Sequence, residues 1–473
     1  YTGLSGYTPT TSIVNNVNLS GPATNLAFSM TSNGNDLYIA PGGRNPSFGP
    51  LFNPPEIYHF DNTNWNNLAG YNNPIMNGLH DVVTIAIDPN DGKHVFAGTY
   101  GAGLLELQND FVIRRFSENN STLRHHTSNP DTADVRVGGV TFDANGNLWV
   151  VTAHNNSCLS MRKGNTWTGF NIPIINENDL GQILVNKLGQ KWIQMRFGTQ
   201  NPNSILVFTD NGTPDDIGDD QSKLLNSSVG NGAIPGTTVF AMAEDKKGEI
   251  WIGTEDGIAV FYSPENVFSG QNFDAQRIQV TQGLYVQYLM EGETVTAIAV
   301  DGANQKWIGT DRGGAFLVSE DGTKEIYHFT AENSPLLSDR ITCIAINKDG
   351  YVFFGTDKGV ISLRGSATPG GEVNENVTAF PNPVKSDYDG PIAIKGLVDQ
   401  AQVRITDING TLVYSAKAVV DHTVPVQLGV YGGQVVWDGK NLNGVKAQTG
   451  VYLVYSANTS GSEKIVTKIL VIR

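Results

Sequence analysis

Cysteine is nearly absent from this chain. Two occur among 473 residues, Cys158 and Cys343. They stand in different repeats without CxxC spacing, which excludes a disulfide framework and a cysteine-rich metal site, so both read as small buried core residues. Basic residues are also scarce, 31 against 46 acidic ones, for a formal charge of −15. That balance excludes nucleic acid as a partner, since phosphates need a basic surface. It says little else, because acidity also serves solubility. No run approaches the roughly 18–20 apolar residues of a spanning helix. The opening YTGLSGYTPTTS has neither a basic start nor an apolar segment, so no signal peptide is visible. Without an initiator Met, the chain reads as a mature form or a fragment of something longer. Runs of helix formers are scarce as well. Glycine, at 53 residues, makes up about 11% against a typical ~7%. With abundant Asn and Asp, this is the composition of short strands joined by tight turns.

Internal repetition is the strongest signal. One strand recurs seven times: LYIAPG (37–42), VFAGTYG (95–101), LWVVTAH (148–154), KWIQMRFG (191–198), IWIGTEDG (250–257), KWIGTDRGG (306–314) and VFFGTDKG (352–359). Its aromatic anchors are Tyr38, Phe96, Trp149, Trp192, Trp251, Trp307 and Phe353. Six steps from Tyr38 to Phe353 average about 52 residues, slightly above the ~40–50 of familiar propeller blades. An alternating apolar strand precedes most copies, as in VVTIAID (82–88) and VTAIAVD (295–301), and a turn such as Asn90-Asp91-Gly92 joins the two. A third strand follows, such as GIAVFYS (257–263), and a more polar fourth closes several units, such as KEIYHFT (324–330).

Four antiparallel strands in each of seven units predict a seven-bladed β-propeller over 1–365, because a lone blade cannot bury both of its faces. The seventh unit shows three clear strands before 366, so Ser12–Leu19 is expected to supply the missing outer strand and close the ring. Residues 1–22 would then be that closing strand or the remnant of an upstream connection. The repeated Trp residues read as packing between blades rather than a sugar site. The Gly-Thr after them reads as turn geometry.

At about 366 the repeat stops. SATPGGEVNENVT (366–378) reads as a linker. Over 379–473 come AFPNPV (379–384), PIAIKGL (391–397), AQVRITDINGTLVYSA (401–416), PVQLGV (425–430), GQVVWDGKNLNG (433–444), GVYLVYSAN (450–458) and KIVTKILVIR (464–473). Asn409-Gly410 marks a hairpin turn. About seven short strands in this length predict a small immunoglobulin-like β-sandwich.

The ordered elements FPNPV, VRITDINGTLVY, VVWDGKNLNGVKAQTGVYLV and KILVIR resemble the C-terminal sorting-type domain of type IX secretion in Bacteroidetes. WIGTEDG and WIGTDRG resemble the two-component regulator propeller repeat. Together they resemble the PorZ-like surface component of that machinery, a family with two propellers before the tail. One is present here, so the chain would be the C-terminal two-thirds of such a protein or a shorter relative. The resemblance implies an exported, outer-membrane surface location. It also implies sortase and shuttle subunits as partners, and anionic lipopolysaccharide. In some bearers the tail is a removable address; in the PorZ-like case it is retained.

Few residues point to chemistry. Asp210, Asn211, Asp215, Asp216, Asp219 and Asp220 crowd a Gly/Pro loop with hard oxygen donors that suit a structural calcium ion. The loop lacks the closing Glu of an EF-hand, and a solvated acidic loop is the plainer reading. His125 and His126 are adjacent, so on a strand they would point apart. Asp438, Asn441 and Asn443 read as turn formers. No GxSxG, HExxH or P-loop occurs, and no nucleophile–base–orienter set emerges. No cofactor other than that calcium is expected. The expectation is a non-catalytic binding and assembly protein, with its contacts on long loops at 118–136, 209–236 and 262–292. Arg114, Arg115 and Arg124 form the visible basic cluster for an anionic ligand. The alternatives are a glycan-sensing ectodomain of a two-component regulator and an exported glycan-active enzyme.

Overall fold

The structure, a computed structural model, describes residues 21–70, 73–127, 129, 131, 133–155, 157–172, 179–196, 204–270, 272–282, 285–365, 367–368, 370–371, 373–399, 401–416, 430–457 and 463–473, with the backbone alone over 4–8 and 13–17 and at 282, 430, 431 and 463. Seven antiparallel sheets follow one another along the chain. Blade 1 comprises Ser29–Asn33, Asp36–Ala40, Glu56–Phe60 and Trp65–Ala69. The innermost strands of blades 2 to 7 are Val82–Asp88, Val137–Phe142, Asp179–Val185, Val239–Glu244, Val295–Val300 and Ile341–Ile346. Each contacts the next, and the last contacts Ser29–Asn33, so the ring is closed. This is the predicted seven-bladed propeller.

Side-chain alternation makes the ring. On the second strand of each blade the anchor faces the following blade, and its neighbours face the preceding one. Trp251 packs with Val295 and Ile308 of blade 6, while Ile250 and Ile252 pack with Trp192 of blade 4. The same holds at every seam, giving seven apolar clusters between seven blades. All seven anchors are buried. Each ring removes on the order of 200 Å² from water.

One expectation about ring closure needs correction. Ile13–Val17 does not join blade 7; it pairs antiparallel with Leu4–Thr8 in a separate two-stranded sheet. A partner a few residues away costs little loop entropy, and it takes the strand's hydrogen bonds. Residues 12, 18 and 19 lie outside the described ones. Blade 7 therefore has three strands among the described residues, Ile341–Ile346, Tyr351–Thr356 and Gly359–Arg364. Packing closes the ring: Leu37, Ile39 and Tyr58 meet Cys343, Ala345 and Phe353. Thr342 Oγ1 and Ser32 Oγ donate across the seam to the carbonyls of Ala27 (2.5 Å) and Ile346 (2.6 Å).

The glycine of Gly-Thr is not a turn residue. A Cβ on Gly309 would stand 2.5 Å from Ile341 Cγ2 of the next blade, so this position lets two blades approach. The turn belongs to the later Gly314, whose φ is +83°. The hydroxyl of Thr310 donates to the Gly314 carbonyl at 3.0 Å.

The expected long loops of blades 4 and 5 also contain structure. Gln221–Leu225 and Gln276–Arg277 are fourth strands, and Gln279–Gln282 pairs with Tyr285–Tyr288 in an added hairpin. Their polar, exposed residues gave no alternation to read.

The C-terminal region is a sandwich of two four-stranded sheets among the described residues. One holds Thr378–Phe380, Ile392–Lys395, Gln434–Trp437 and Val430–Tyr431. The other holds Leu412–Ala416, Gln402–Asp407, Gly450–Ala457 and Glu463–Val471. Ile394, Val403, Ile405, Trp437, Val454 and Ile469 fill the space between. Gly410 turns the predicted hairpin at φ +84°, with Asp407 Oδ1 accepting from the amides of Asn409 and Thr411. Of the expected strand 425–430, only Val430 lies among the described residues.

The two domains touch. The segment that reads as a linker buries Ala367 against Ala303 of blade 6. Lys246 Nζ of blade 5 reaches Asp399 Oδ1 of the sandwich at 2.9 Å and the Gly302 carbonyl at 2.6 Å.

Candidate binding face

In an antiparallel meander, connections between first and second strands and between third and fourth strands emerge at one end. Those between second and third strands, and from one blade to the next, emerge at the other. The ring therefore has a turn face and a loop face. The turn face carries tight Asx turns, such as Asp245 Oδ1 accepting from the amides of Lys247 and Glu249. The sandwich sits there, on the turns of blades 5 and 6, through Lys246, Gly302 and Ala303.

The acidic loop also lies on the turn face, between Ser204–Thr209 and Gln221–Leu225. Asp210 is buried and accepts from Lys191 Nζ at 2.5 Å, while that ammonium stands 3.9 Å from the centre of the Trp149 ring. Asn211 Nδ2 donates to the Asp219 carbonyl at 2.5 Å, and Thr213 Oγ1 to Asp219 Oδ2 at 2.8 Å. Asp216 Oδ1 accepts from the Gly218 amide, and Asp215 is exposed. Burial, then Asp210 and Asp219, push the Asp220 carboxyl upward. Asp210 is thus committed to an ion pair, Asp216 and Asp219 brace the turn, and Asp219 Oδ1 and Asp220 Oδ1 are buried without a hydrogen bond. Among the described residues, no three of His, Cys, Asp or Glu gather where a metal ion would fit.

The loop face carries the basic residues. Arg114 and Arg115 lie on the outer strand of blade 2, Phe111–Phe116, and point apart. Arg114 is half exposed, with Nε 3.8 Å from Glu106 Oε2. Arg115 Nε donates to the Ala102 carbonyl at 2.6 Å. With Ser117, Asn119 and Ala133 it lines a cavity of about 240 Å³. Arg124 pairs with Glu118 at 3.2 Å, and His125 takes that same carboxylate. Each of the three arginines thus meets a partner of its own. His126 turns away from His125 and stacks on His154, with ring centres 4.2 Å apart. Burial, His154 and Arg136 all lower its pKa.

A second cluster on this face had no sequence signal, because its members come from five blades. The connection after Asp36–Ala40 folds inward. Asn45 Oδ1 accepts from the amides of Ser47 and Gly49, and Phe48 has φ +59°. Arg44 Nη1 from this loop of blade 1 reaches the Leu180 carbonyl of blade 4 at 3.2 Å. Tyr100, just after the second strand of blade 2, donates to Asp179 Oδ1 of blade 4 at 2.9 Å. Contacts that skip blades cross the axis, so these side chains fill the channel mouth. Around Arg44 stand the rings of Phe48, Tyr100 and Phe28 at 4.3, 5.1 and 5.4 Å. Arg196 of blade 4 lies 4.9 Å from the Phe48 ring and 4.8 Å from that of Phe240. His154 Nε2 meets Asp179 Oδ1 at 2.6 Å. Burial, Arg44 and Asp179 act on the Tyr100 hydroxyl, and burial prevails to hold it strongly protonated. The cluster offers positive charge and aromatic rings.

No curated protein matches the sequence. The two component regulator propeller family model matches residues 233–256, which include the Ile250–Thr254 strand. The extracellular domain of the hybrid two component system BT3049 from B. thetaiotaomicron is 13% identical, with a TM-score of 0.35, over 100% of this chain and 70% of that one. Virginiamycin B lyase from Staphylococcus aureus is 12% identical, with a TM-score of 0.46, over 72% of this chain and 94% of that one. PorZ, an essential bacterial surface component of the type-IX secretion system of Porphyromonas gingivalis, is 29% identical, with a TM-score of 0.67. That likeness covers 98% of this chain and 62% of PorZ. In sequence and in fold, through both of its domains, this chain is PorZ-like.

Proposed function

We propose that this chain is a non-catalytic binding and assembly component at the bacterial surface, working with the type IX secretion machinery. The observation that carries the reading is the likeness to PorZ, which spans 98% of the chain and so includes propeller and sandwich together. The architecture divides the labour. The sandwich occupies the turn face and leaves the loop face free for a partner. Sortase and shuttle subunits are the expected partners. Anionic lipopolysaccharide is the expected glycan, with the Arg115 cavity and the half-exposed Arg114 as its contact.

The test is capture with the purified chain, using secretion-complex subunits as identified prey and lipopolysaccharide-coated beads. Retention of subunits without glycan turnover supports assembly. Glycan turnover without subunit retention supports an enzyme and defeats the reading. Changing Arg114 and Arg115 to Glu should abolish lipopolysaccharide retention; retention at the wild-type level removes those residues from the contact.

A further inference from the structure

We propose that blade 2 is held in the ring by a pH-sensitive latch: two histidines on the turn face each bridge a pair of carboxylates, fixing its outer strand while the rings are charged and freeing it when they are not. His59 of blade 1 is buried, with Nδ1 2.8 Å from Asp110 Oδ2 and Nε2 2.9 Å from Asp36 Oδ1. Asp110 has φ +63° in the tight turn that leads into Phe111–Phe116, the outer strand of blade 2. His94, on the second strand of blade 2, has Nδ1 3.0 Å from Asp88 Oδ2 and Nε2 3.0 Å from Glu106 Oε1. Arg162 of blade 3 reaches the same Glu106 oxygen at 3.1 Å. One bridge therefore ties blade 2 to blade 1, and the other braces the carboxylate that ties it to blade 3.

A neutral imidazole carries one N–H, and an ionised carboxylate only accepts. A ring with carboxylates at both nitrogens is satisfied on both sides only as imidazolium. The groups around each ring are accounted for. Beside His59, Lys93 Nζ joins Asp36 at 3.0 Å, the Tyr38 hydroxyl and Asn66 donate to Asp110, and the Tyr38 ring stacks on the imidazole at 4.1 Å. Beside His94, Arg114 Nε stands 3.8 Å from Glu106 Oε2, Asp91 feels the imidazole's charge, and the Phe96 ring lies edge-on at 4.8 Å. Burial and Lys93 oppose the charge on His59, but Asp110 and Asp36 prevail and raise its pKa above the ordinary 6.5. Glu106 raises that of His94 against burial, and Asp88 adds to it. The stability each bridge supplies is thus complete below pH 6.5 and lost as pH rises through the raised folded value. The plain alternative is a fixed ion pair, as Lys191 makes with Asp210 and Lys306 with Asp245 at other seams. An imidazole differs because it titrates near neutrality, and each of these two leaves a lone pair facing a carboxylate when it does.

The full chain, isotope-labelled on its histidine ring nitrogens, is titrated by NMR, and amide exchange is followed in parallel by mass spectrometry. Both nitrogens of His59 and His94 should remain protonated above pH 6.5 and then titrate. Across that step, exchange along Phe111–Phe116, corrected for the intrinsic rate, should rise by about tenfold. The matching strand Gln221–Leu225 of blade 4 should not respond. Asp110→Asn and Asp88→Asn each give a neutral ring an amide donor, so they should bring His59 and His94 respectively back toward pH 6.5. In the Asp110→Asn chain the alkaline rise in exchange should shrink several-fold. These variants keep both imidazoles, and the wild-type titration stands even where a variant does not fold. Titration of either ring at or below pH 6.5 overturns the proposal. So does exchange along Phe111–Phe116 that ignores the titration, or that rises equally in Gln221–Leu225. None of these results touches subunit capture, so the assembly reading fails or stands by its own test.

Discussion

Lys306 Nζ lies 2.9 Å from Asp245 Oδ2, and both side chains are fully buried between blades 5 and 6. The same ammonium stands 4.3 Å from the centre of the Trp251 ring. One lysine therefore couples its own blade to the turn and the aromatic anchor of the blade before. Lys191, Asp210 and Trp149 make a similar arrangement between blades 3 and 4. Burial pulls the Lys306 ammonium downward. Burial also opposes the charge on Asp245, but Lys306 and hydrogen bonds prevail and hold its carboxyl below the usual range. Lys306→Met should destabilise the propeller by about 3–5 kcal/mol, because Asp245 is left buried and unpaired. Adding Asp245→Asn should recover much of that loss. Urea denaturation of the two variants checks both statements.

Asp301 gives a pH dependence of the opposite kind. Burial pushes its carboxyl up to about 6 from 3.8, against the amides of Gln305 and Ala303 and the charges of Lys246 and Lys306. Between those values the folded chain holds a proton that the unfolded chain has released. The group's contribution to stability is thus complete below pH 3.8 and lost as pH rises through about 6. Asn keeps the acceptor oxygen without the charge, and Asn186 and Asn347 already serve at the same turn in blades 4 and 7. Asp301→Asn should stabilise the chain at pH 7 by on the order of 1–3 kcal/mol and flatten the slope between pH 4 and 6. Denaturation at several pH values measures it.

Gly309→Ala should cost about 1–3 kcal/mol, since the new Cβ would stand 2.5 Å from Ile341 Cγ2. Ile341→Ala, which removes that Cγ2, should cost less in the Gly309→Ala background than in the wild-type chain. A calorimetric melting series on the single and double variants decides it.

Gly432 has φ +63°, and a Cβ there would meet the carbonyls of Thr368 and Gly302 at 2.0 and 2.6 Å. Gly432→Val should release the sandwich from the turn face. The expected result is faster proteolysis near 366–378 and a larger hydrodynamic radius, with the propeller's melting unchanged. Lys246→Ala should have the weaker effect of a partly exposed ion pair, under about 1 kcal/mol.

The blades were legible because the signal is periodic. An aromatic on one face of a strand, repeated seven times, has no other packing solution than a ring. The outer strands were harder, because Gln221–Leu225 and Gln276–Arg277 bury little and so carry no alternation. The partner of Ile13–Val17 was misread because an open fourth position in blade 7 says nothing about nearer competitors such as Leu4–Thr8. The channel-mouth cluster was invisible for a different reason. Arg44, Tyr100, Asp179 and Arg196 have ordinary neighbours in sequence, and only ring closure sets them face to face. Conversely, Arg114 and Arg115 looked like a pair because they are adjacent, and adjacency on a strand is what separates them.

Among the described residues the seam between blades 7 and 1 is joined by side chains rather than by a shared strand, so no strand continuity locks the circle there. Thermal opening should start at that join, with amide exchange along Gly359–Arg364 faster than along the matching strands of other blades. The circle behaves as a clasp whose two ends are pressed together, and anything that grips both ends at once would tighten the whole disc.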